Sequence, residues 1–321
     1  VVEELSVLVN DFQQKHIVFY DDNFSVKKSR VKELCDAIVG EKLHEKCTFG
    51  VQTRADNLYE EIMPFLVRAN FTTVGFGMET GVERLAKVIV KDETVETHLK
   101  STKLAQRYGI KVNLFMIFGL PTETHEERME SFKVVKNSGV GFTKFNNLIP
   151  YPGTKLYKDV KESGEVKVSP NWTNFNSTLT ATRSIFNTTP LPYVPHGTTE
   201  WELKRDIIRC NFSFYFTPKN ILSILGRKTG LGWVMLPKHW YFKPRELYEM
   251  TKVGITLVIN LVVAQLPKPI GGFIYHSVTK FLNLLKREKL VAQFPDAIDG
   301  TMRKVVVDRS RRPDLVIEEA K

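Results

Sequence analysis

The sequence predicts an α/β fold built on a parallel sheet. Three observations carry it. Five short apolar runs occur in the first 157 residues, helical apolar periodicity fills the intervals, and turn residues sit at most junctions. Short runs of this kind read as strands buried on both faces. Strands alternating with helices imply right-handed crossovers and parallel pairing. At this point the sheet is either open and doubly wound or curved into a barrel.

The elements follow in order. Residues 4–14 carry Leu5, Leu8, Val9 and Phe12 at helical spacing. Residues 16–20 form a first strand ending in Asp21-Asp22. Ser25 is placed to cap a helix whose stripe is Val31, Leu34, Cys35 and Ile38, with Gly40 as its stop. Residues 47–52 read as the second strand. The next helix carries Leu58, Ile62, Phe65, Leu66 and Ala69, and Pro64 should kink it. A third strand covers 72–78, with helical segments up to Tyr108 and Gly109 as terminator. The fourth strand covers 111–118. Thr124 and Glu127 then have capping-box spacing for a helix ended by Gly139. A fifth strand, 144–149, leads into Tyr151-Pro152-Gly153-Thr154. The series opens on a helix, so a strand that should precede it is absent.

Beyond residue 163 the character changes. Residues 169–199 are crowded with Ser, Thr, Asn and Pro and read as an irregular excursion. Helical patterns follow at 200–216, 218–225, 244–266 and 274–289, and the tail after Pro295 is polar and charged. The expected organisation is a barrel-type unit over 1–162, a connector over 163–199, a basic helical extension over 200–295 and a tail over 296–321.

Of the 321 residues 42% are hydrophobic and 26% charged, which excludes wholesale disorder. Cys35, Cys47 and Cys210 form no closed disulfide framework and match no zinc or iron–sulfur spacing. They read as small apolar residues in a reducing compartment, so a cytoplasmic protein is expected. The start Val1-Val2-Glu3-Glu4 is acidic, lacks Met and reads as cut rather than as a signal peptide. The net charge of +10 is uneven: residues 1–199 hold 25 basic and 24 acidic residues, residues 200–321 hold 21 and 12.

In parallel sheets and barrels, ligands bind beyond the C-terminal strand ends. Here those ends carry Asp21-Asp22-Asn23, Arg54, Glu79-Thr80, Gly119-Leu120-Pro121 and Asn146-Asn147. Singly, each has a plain explanation. The Asp pair can cap a helix, Arg54 can pair with Asp56 on the surface, and Gly119-Leu120-Pro121 can be a turn. Glu79 is harder to set aside, because Gly75 and Gly77 before it let a ligand approach the backbone. Together these groups suit a zwitterionic, hydroxyl-rich ligand. Carboxylates accept from hydroxyls or an amino group, and Arg pairs with a carboxylate.

Five segments carry a family resemblance: Phe19-Tyr20-Asp21-Asp22-Asn23-Phe24, Arg54-Ala55-Asp56, Gly75-Phe76-Gly77-Met78-Glu79-Thr80-Gly81, Ile117-Phe118-Gly119-Leu120-Pro121-Thr122-Glu123-Thr124 and Pro150-Tyr151-Pro152-Gly153-Thr154-Lys155-Leu156-Tyr157. In order and spacing they resemble the radical S-adenosylmethionine (SAM) superfamily. The branch is the one with an N-terminal cobalamin-binding domain, which includes enzymes like the anaerobic magnesium-protoporphyrin monomethyl ester cyclase. The resemblance spans about residues 4–157. It implies a partial (β/α)6 TIM-like barrel, here lacking its first strand, with a mainly helical C-terminal extension. It implies SAM bound beside a [4Fe–4S] cluster, a reductant protein for that cluster, and cobalamin on a further N-terminal domain. Carried over by position, Asp21 and Asp22 approach the methionine end of SAM and Glu79 its ribose hydroxyls. Ile117 and Gly119 pack near adenine, and Arg54 is a candidate for the SAM carboxylate.

The family's Cys-x3-Cys-x2-Cys loop is absent from this sequence. The expectation is therefore a chain truncated before Val1 and inactive by itself. Its parent would form a 5′-deoxyadenosyl radical or transfer a methyl group through cobalamin to a small-molecule substrate. A second reading is a cluster-less barrel that binds a partner or nucleotide. A third, an ordinary barrel enzyme using Asp22 and Glu79 as acid and base, lacks a His or Lys placed with them. In the basic C-terminal part no nucleic-acid motif accompanies the charge, so nucleic acid is not expected. The apolar stretch 254–266 is shorter than the ~20 residues needed to span a bilayer. Trp233, Trp240 and the flanking Lys residues would suit peripheral contact with an anionic membrane and a lipid-like substrate.

Overall fold

The structure, a computed structural model, describes residues 1–178, 180, 183–216 and 244–285. Its centre is a parallel five-stranded sheet of β1 (His16–Phe19), β2 (Thr48–Gln52), β3 (Phe71–Glu79), β4 (Lys111–Phe118) and β5 (Phe142–Asn147). The strands lie side by side in sequence order. That order decides between the two architectures. A doubly wound sheet reverses direction at a switch point. Right-handed crossovers that always step the same way put every helix on one face, as in a barrel wall.

The covered face is apolar. Phe49, Phe76, Leu114, Met116, Phe118 and Phe145 are all fully buried on it, beneath α2 (Lys28–Gly40), α3 (Met63–Arg68), α5 (Val95–Arg107) and α6 (His125–Asn137). The opposite face carries Val18, Gln52, Thr73, Asn113, Phe115 and Lys144, none of them fully buried. Here Gly50, Gly75 and Gly77 form a low floor. The remaining helices before the excursion are α1 (Val2–Asn10), α4 (Glu83–Val88) and α7 (Lys155–Glu162).

Several local expectations hold. Thr124 and Glu127 form a reciprocal capping box on α6. Gly109 and Gly139 take positive φ, 75° and 74°, just beyond α5 and α6. Others change. Pro64 does not kink a long helix. Two short 3₁₀ turns come first, and Pro64 lies in the opening turn of α3, where its missing N–H costs nothing. Ser25 does not cap α2, whose N-cap is Lys27. Instead Ser25 is buried, with its hydroxyl 2.5 Å from that of Thr53.

Helix α8 (Glu200–Tyr215) packs on β5 and α6, and its Leu203, Ile207, Cys210 and Phe214 share one core with the sheet. It also seals the β5 edge. The Asn211 side chain accepts from Phe145 N (3.1 Å) and donates to Phe145 O (2.9 Å), as a neighbouring strand would. The Tyr215 hydroxyl accepts from Thr143 N (3.1 Å) and donates to Thr143 O. Next along, Asn147 N donates to Ser177 O (3.0 Å). At the other edge, β1 pairs on one side only among the described strands.

Helices α9 (Pro244–Gln265) and α10 (Lys268–Leu285) lie outside α8. Helix α10 begins six residues before the expected 274. Its Gly271 and Gly272 pack against the Trp201 indole, where an added Cβ on Gly271 would come within 2.7 Å of the ring. Among the described residues no helix is long and apolar enough to cross a membrane. The expected helix at 218–225, Trp233, Trp240 and the tail from 296 lie outside the described residues.

Candidate functional site

The parallel register brings the C-terminal strand ends to one rim. Gln52 is level with Gly75, Glu79 with Met116, and Ile117 with Asn146. Every residue expected to form the site lies at this rim, in differing states.

Asp21 is half-buried and pairs with Arg30 at 3.2 Å, while Asp22 is exposed. Behind them Asn23 Oδ1 accepts from the Thr53 hydroxyl (2.8 Å) and the Arg54 N–H (3.4 Å). The loops after β1 and β2 are therefore tied together. Asn23 was only part of a strand-end run in the sequence, and its positioning role comes from contacts thirty residues away. Arg54 is held in a two-bond fork by Asp56, Nε at 3.0 Å and Nη2 at 2.8 Å. Asp56 is held below the usual carboxylate range by that pairing. The surface pairing considered from sequence is present.

Glu79 ends β3 with φ +65°, just past a register shift. An L-residue rarely adopts that conformation without a functional or packing reason. The carboxylate folds back over Gly77, where an added Cβ would come within 2.4 Å of Oε1. Glu79 makes no side-chain hydrogen bond to the described residues, and burial pushes its pKa up. A half-buried acceptor on the open face, with no hydrogen-bond partner among the described residues, is available to a ligand hydroxyl.

A charged cluster beside it was not legible locally. Glu93 is buried, and its Oε1 accepts the Ala55 and Asp56 N–H groups (2.6 and 3.2 Å). Lys91 Nζ is 3.3 Å from Glu93 Oε2, and His98 Nε2 is 3.8 Å from Oε1. Lys91 and Glu93 both act electrostatically on Glu79. The reading of Glu79 as an acid or base thus has a lysine nearby that sequence did not place. On β5, Asn146 Oδ1 is buried without a partner, a second unsatisfied acceptor near the rim.

Ile117 lies half-buried on the open face of β4. Gly119 turns the chain with φ +91°, and an added Cβ would meet Leu203 at 3.0 Å. Its N–H donates to Glu123 Oε2 at 2.5 Å, and the Leu120 N–H donates to the same oxygen at 3.3 Å. Glu123 is fully buried and its other oxygen has no partner. Burial pushes its pKa up to about 8. Arg128, also fully buried, lies 3.8 Å from Glu123 but spends its best bond on Asp206 of α8 at 2.8 Å. His125 Nδ1 lies 2.7 Å from the same Asp206 oxygen. This cluster fixes the β4 turn to α8.

With the rim described, likeness to known proteins becomes informative. Residues 1–135 match the family model of the radical SAM superfamily. Over this stretch the chain is similar to radical SAM domains. The chain is 27% identical over 223 residues to an uncharacterized methyltransferase of Pyrococcus horikoshii, covering 70% of this chain and 46% of that one. It is 23% identical over 168 residues to the anaerobic magnesium-protoporphyrin IX monomethyl ester cyclase of Cereibacter sphaeroides, covering 52% and 28%. It thus spans less than half the length of these curated relatives. In fold it is similar to the radical SAM methyltransferase TsrM of Kitasatospora setae. That likeness has a TM-score of 0.50 at 16% identity, over 68% of this chain and 46% of that one.

The superfamily that the chain resembles implies SAM and a [4Fe–4S] cluster. The rim fits the first: the Glu79 carboxylate has no hydrogen-bond partner among the described residues, it lies over Gly77, and the buried Asn146 Oδ1 lacks a partner. The cysteines do not fit the second. Cys35 faces the core from α2, Cys47 precedes β2 at the end of the sheet opposite the rim, and Cys210 is in α8. Burial raises all three thiol pKa values, that of Cys35 to about 12, whereas iron binds thiolates. Among the described residues no group of three or more His, Cys, Asp and Glu is placed to hold a metal. Anaerobic iron–sulfur reconstitution of residues 1–321 should therefore give no stoichiometric cluster by visible absorption. A stoichiometric cluster lost on Cys→Ser substitution would overturn this.

Proposed function

We propose that the rim binds S-adenosylmethionine as part of a radical SAM enzyme whose cluster ligands lie outside the three cysteines of this sequence. The carrying observation is Glu79: strained, half-buried, without a hydrogen-bond partner among the described residues and set over Gly77 at the strand end. On this reading Glu79 accepts the ribose hydroxyls, and Ile117 and the Gly119 turn border the adenine. Asp21 and Asp22 stand toward the amino group. Arg54 meets the carboxylate only by loosening its fork with Asp56. SAM supplies a methyl group or, on one-electron cleavage, a 5′-deoxyadenosyl radical. The chain's own part is to bind, orient and shield it. A methyltransferase name among the relatives favours methyl transfer, with cobalamin on a further domain as the methyl carrier. The substrate is a small molecule, and a reductant protein serves the cluster.

Calorimetric titration of SAM tests this. Saturable binding is expected, weakened about tenfold or more in Glu79→Gln, in line with the ~1.5–3 kcal/mol of a hydrogen bond to a charged group. Equal affinity in the two proteins, or no saturable binding to the wild type, sinks the assignment. A cluster-less binding barrel is the second reading, favoured by the buried, neutral thiols. It would be supported by tight SAM binding that iron reconstitution leaves unchanged in any longer form of this chain.

A further inference from the structure

The sheet face away from the helices holds a cation that the SAM reading does not use. Along β5 the buried side chains are Thr143, Phe145 and Asn147, so the alternation turns Lys144 and Asn146 to the opposite face. Lys144 is half-buried there. It makes no hydrogen bond or ion pair with the described residues, acidic ones included. Asn113, on the same face of β4, is also half-buried, and its side chain also lacks a partner among the described residues. The five strands carry one carboxylate, Glu79 at the rim, and one other lysine, Lys111, exposed at the far end of β4. An ammonium group drawn partly out of water without a counter-charge loses hydration and gains nothing from the chain.

The register gives this cation a place. Lys144 is level with Phe115, and Phe115 with Gly77. Asn113 lies one pleat below, level with Gly75, while Asn146 and Ile117 lie one pleat above, toward the rim. A pleat is about 7 Å and a strand spacing about 5 Å, so Lys144 and Asn113 are diagonal neighbours just below the rim. Phe115 stands beside Lys144, and its Cε2 is 3.0 Å from where a Cβ on Gly75 would be, so the ring leans over the glycine floor. We infer that Lys144, assisted by the Asn113 amide, anchors an oxyanion of the substrate, a carboxylate or a phosphate, whose apolar body rests on Phe115 and Ile117 and reaches the rim. A lysine is a point charge that serves either oxyanion. The inference rests on the rim being the SAM site, which leaves Glu79 to the ribose and puts the reacting group above Lys144.

Calorimetric titration of the full chain with phenylacetate, phenylphosphate and the neutral phenylacetamide, each without SAM, tests this. Saturable binding of at least one of the two anions is expected, about tenfold or more tighter than that of the amide, the size of a charge-assisted hydrogen bond. The tighter anion names the oxyanion. Lys144→Met should lose that preference by a similar factor, Lys144→Arg should keep most of it, and both should melt as the wild type does. Asn113→Ala should weaken the anion several-fold and leave the amide unchanged. No saturable binding of either anion, equal affinity for anions and amide, or anion affinity unchanged in Lys144→Met overturns the inference and leaves Lys144 a solvated lysine of the sheet edge. A SAM titration of the same protein separates the two readings: Lys144-dependent anion binding without SAM binding supports the oxyanion site and sinks the SAM assignment alone.

Discussion

Asp206→Asn should destabilise the protein by about 3–5 kcal/mol. Arg128 is fully buried, and Asp206 gives it its shortest ionic bond, 2.8 Å, from an element 78 residues away. Removing one partner of a buried pair leaves the other charge desolvated and uncompensated, and that, more than the lost bond, sets the size of the effect. Denaturant unfolding measures it. Asp56→Asn is the control: its pair with Arg54 is similarly short but about 40% exposed on both sides, so the loss should stay within about 1 kcal/mol. A loss below 1 kcal/mol for Asp206→Asn would show that Arg128 is reached by water or paired elsewhere.

Stability should also fall as pH rises from about 5 to 8, and Glu123 should be the cause. Its folded-state pKa, about 8, lies above the ordinary carboxylate value. The folded state therefore holds a proton that the unfolded chain has released. The stabilisation is complete below pH 4.5 and is lost as pH rises through about 8. At ~1.4 kcal/mol per pKa unit the loss is several kcal/mol. Glu123→Gln keeps an acceptor for the Gly119 and Leu120 N–H groups and cannot ionise. Its unfolding free energy should vary less with pH, and it should exceed the wild type at pH 8.5. The two sites are coupled. In Asp206→Asn the freed Arg128 faces Glu123 at 3.8 Å, so Glu123 should ionise more readily and the alkaline slope should shrink. An unchanged slope in Glu123→Gln would assign the pH dependence to other groups.

What was legible in the sequence was what repeats locally. Strand runs, helix stripes, the Thr124–Glu127 box and the strand-end polar residues each depend on neighbours within a few positions. Barrel curvature followed once the strands proved to lie in sequence order. The rest depended on distant contacts. Pro64 has two good helical uses, as a kink and as a first-turn residue, and the 3₁₀ turns before it decide between them. Ser25 has cap chemistry, but Thr53 on the next loop claims its hydroxyl. Glu93, Lys91 and His98 look like ordinary surface charges until the fold buries them beside Glu79. Asp206 and Arg128 sit in unrelated helices. The rim residues were found because a strand end is a place as well as a pattern, but their states were not: Arg54 engaged, Glu79 free.

The two edges of the sheet differ in kind. Asn211 and Tyr215 reproduce the hydrogen bonds of a neighbouring strand along β5, while β1 pairs on one side only among the described strands. A sheet open at both ends can add copies without limit and grow into a fibre. One open at a single end cannot. If two of these chains met edge to edge, the union would consume both open edges and stop at a pair. The amide and the phenol of α8 thus set an upper bound on strand-to-strand self-assembly. Asn211→Ala with Tyr215→Phe would leave the Phe145 and Thr143 backbone groups without these partners.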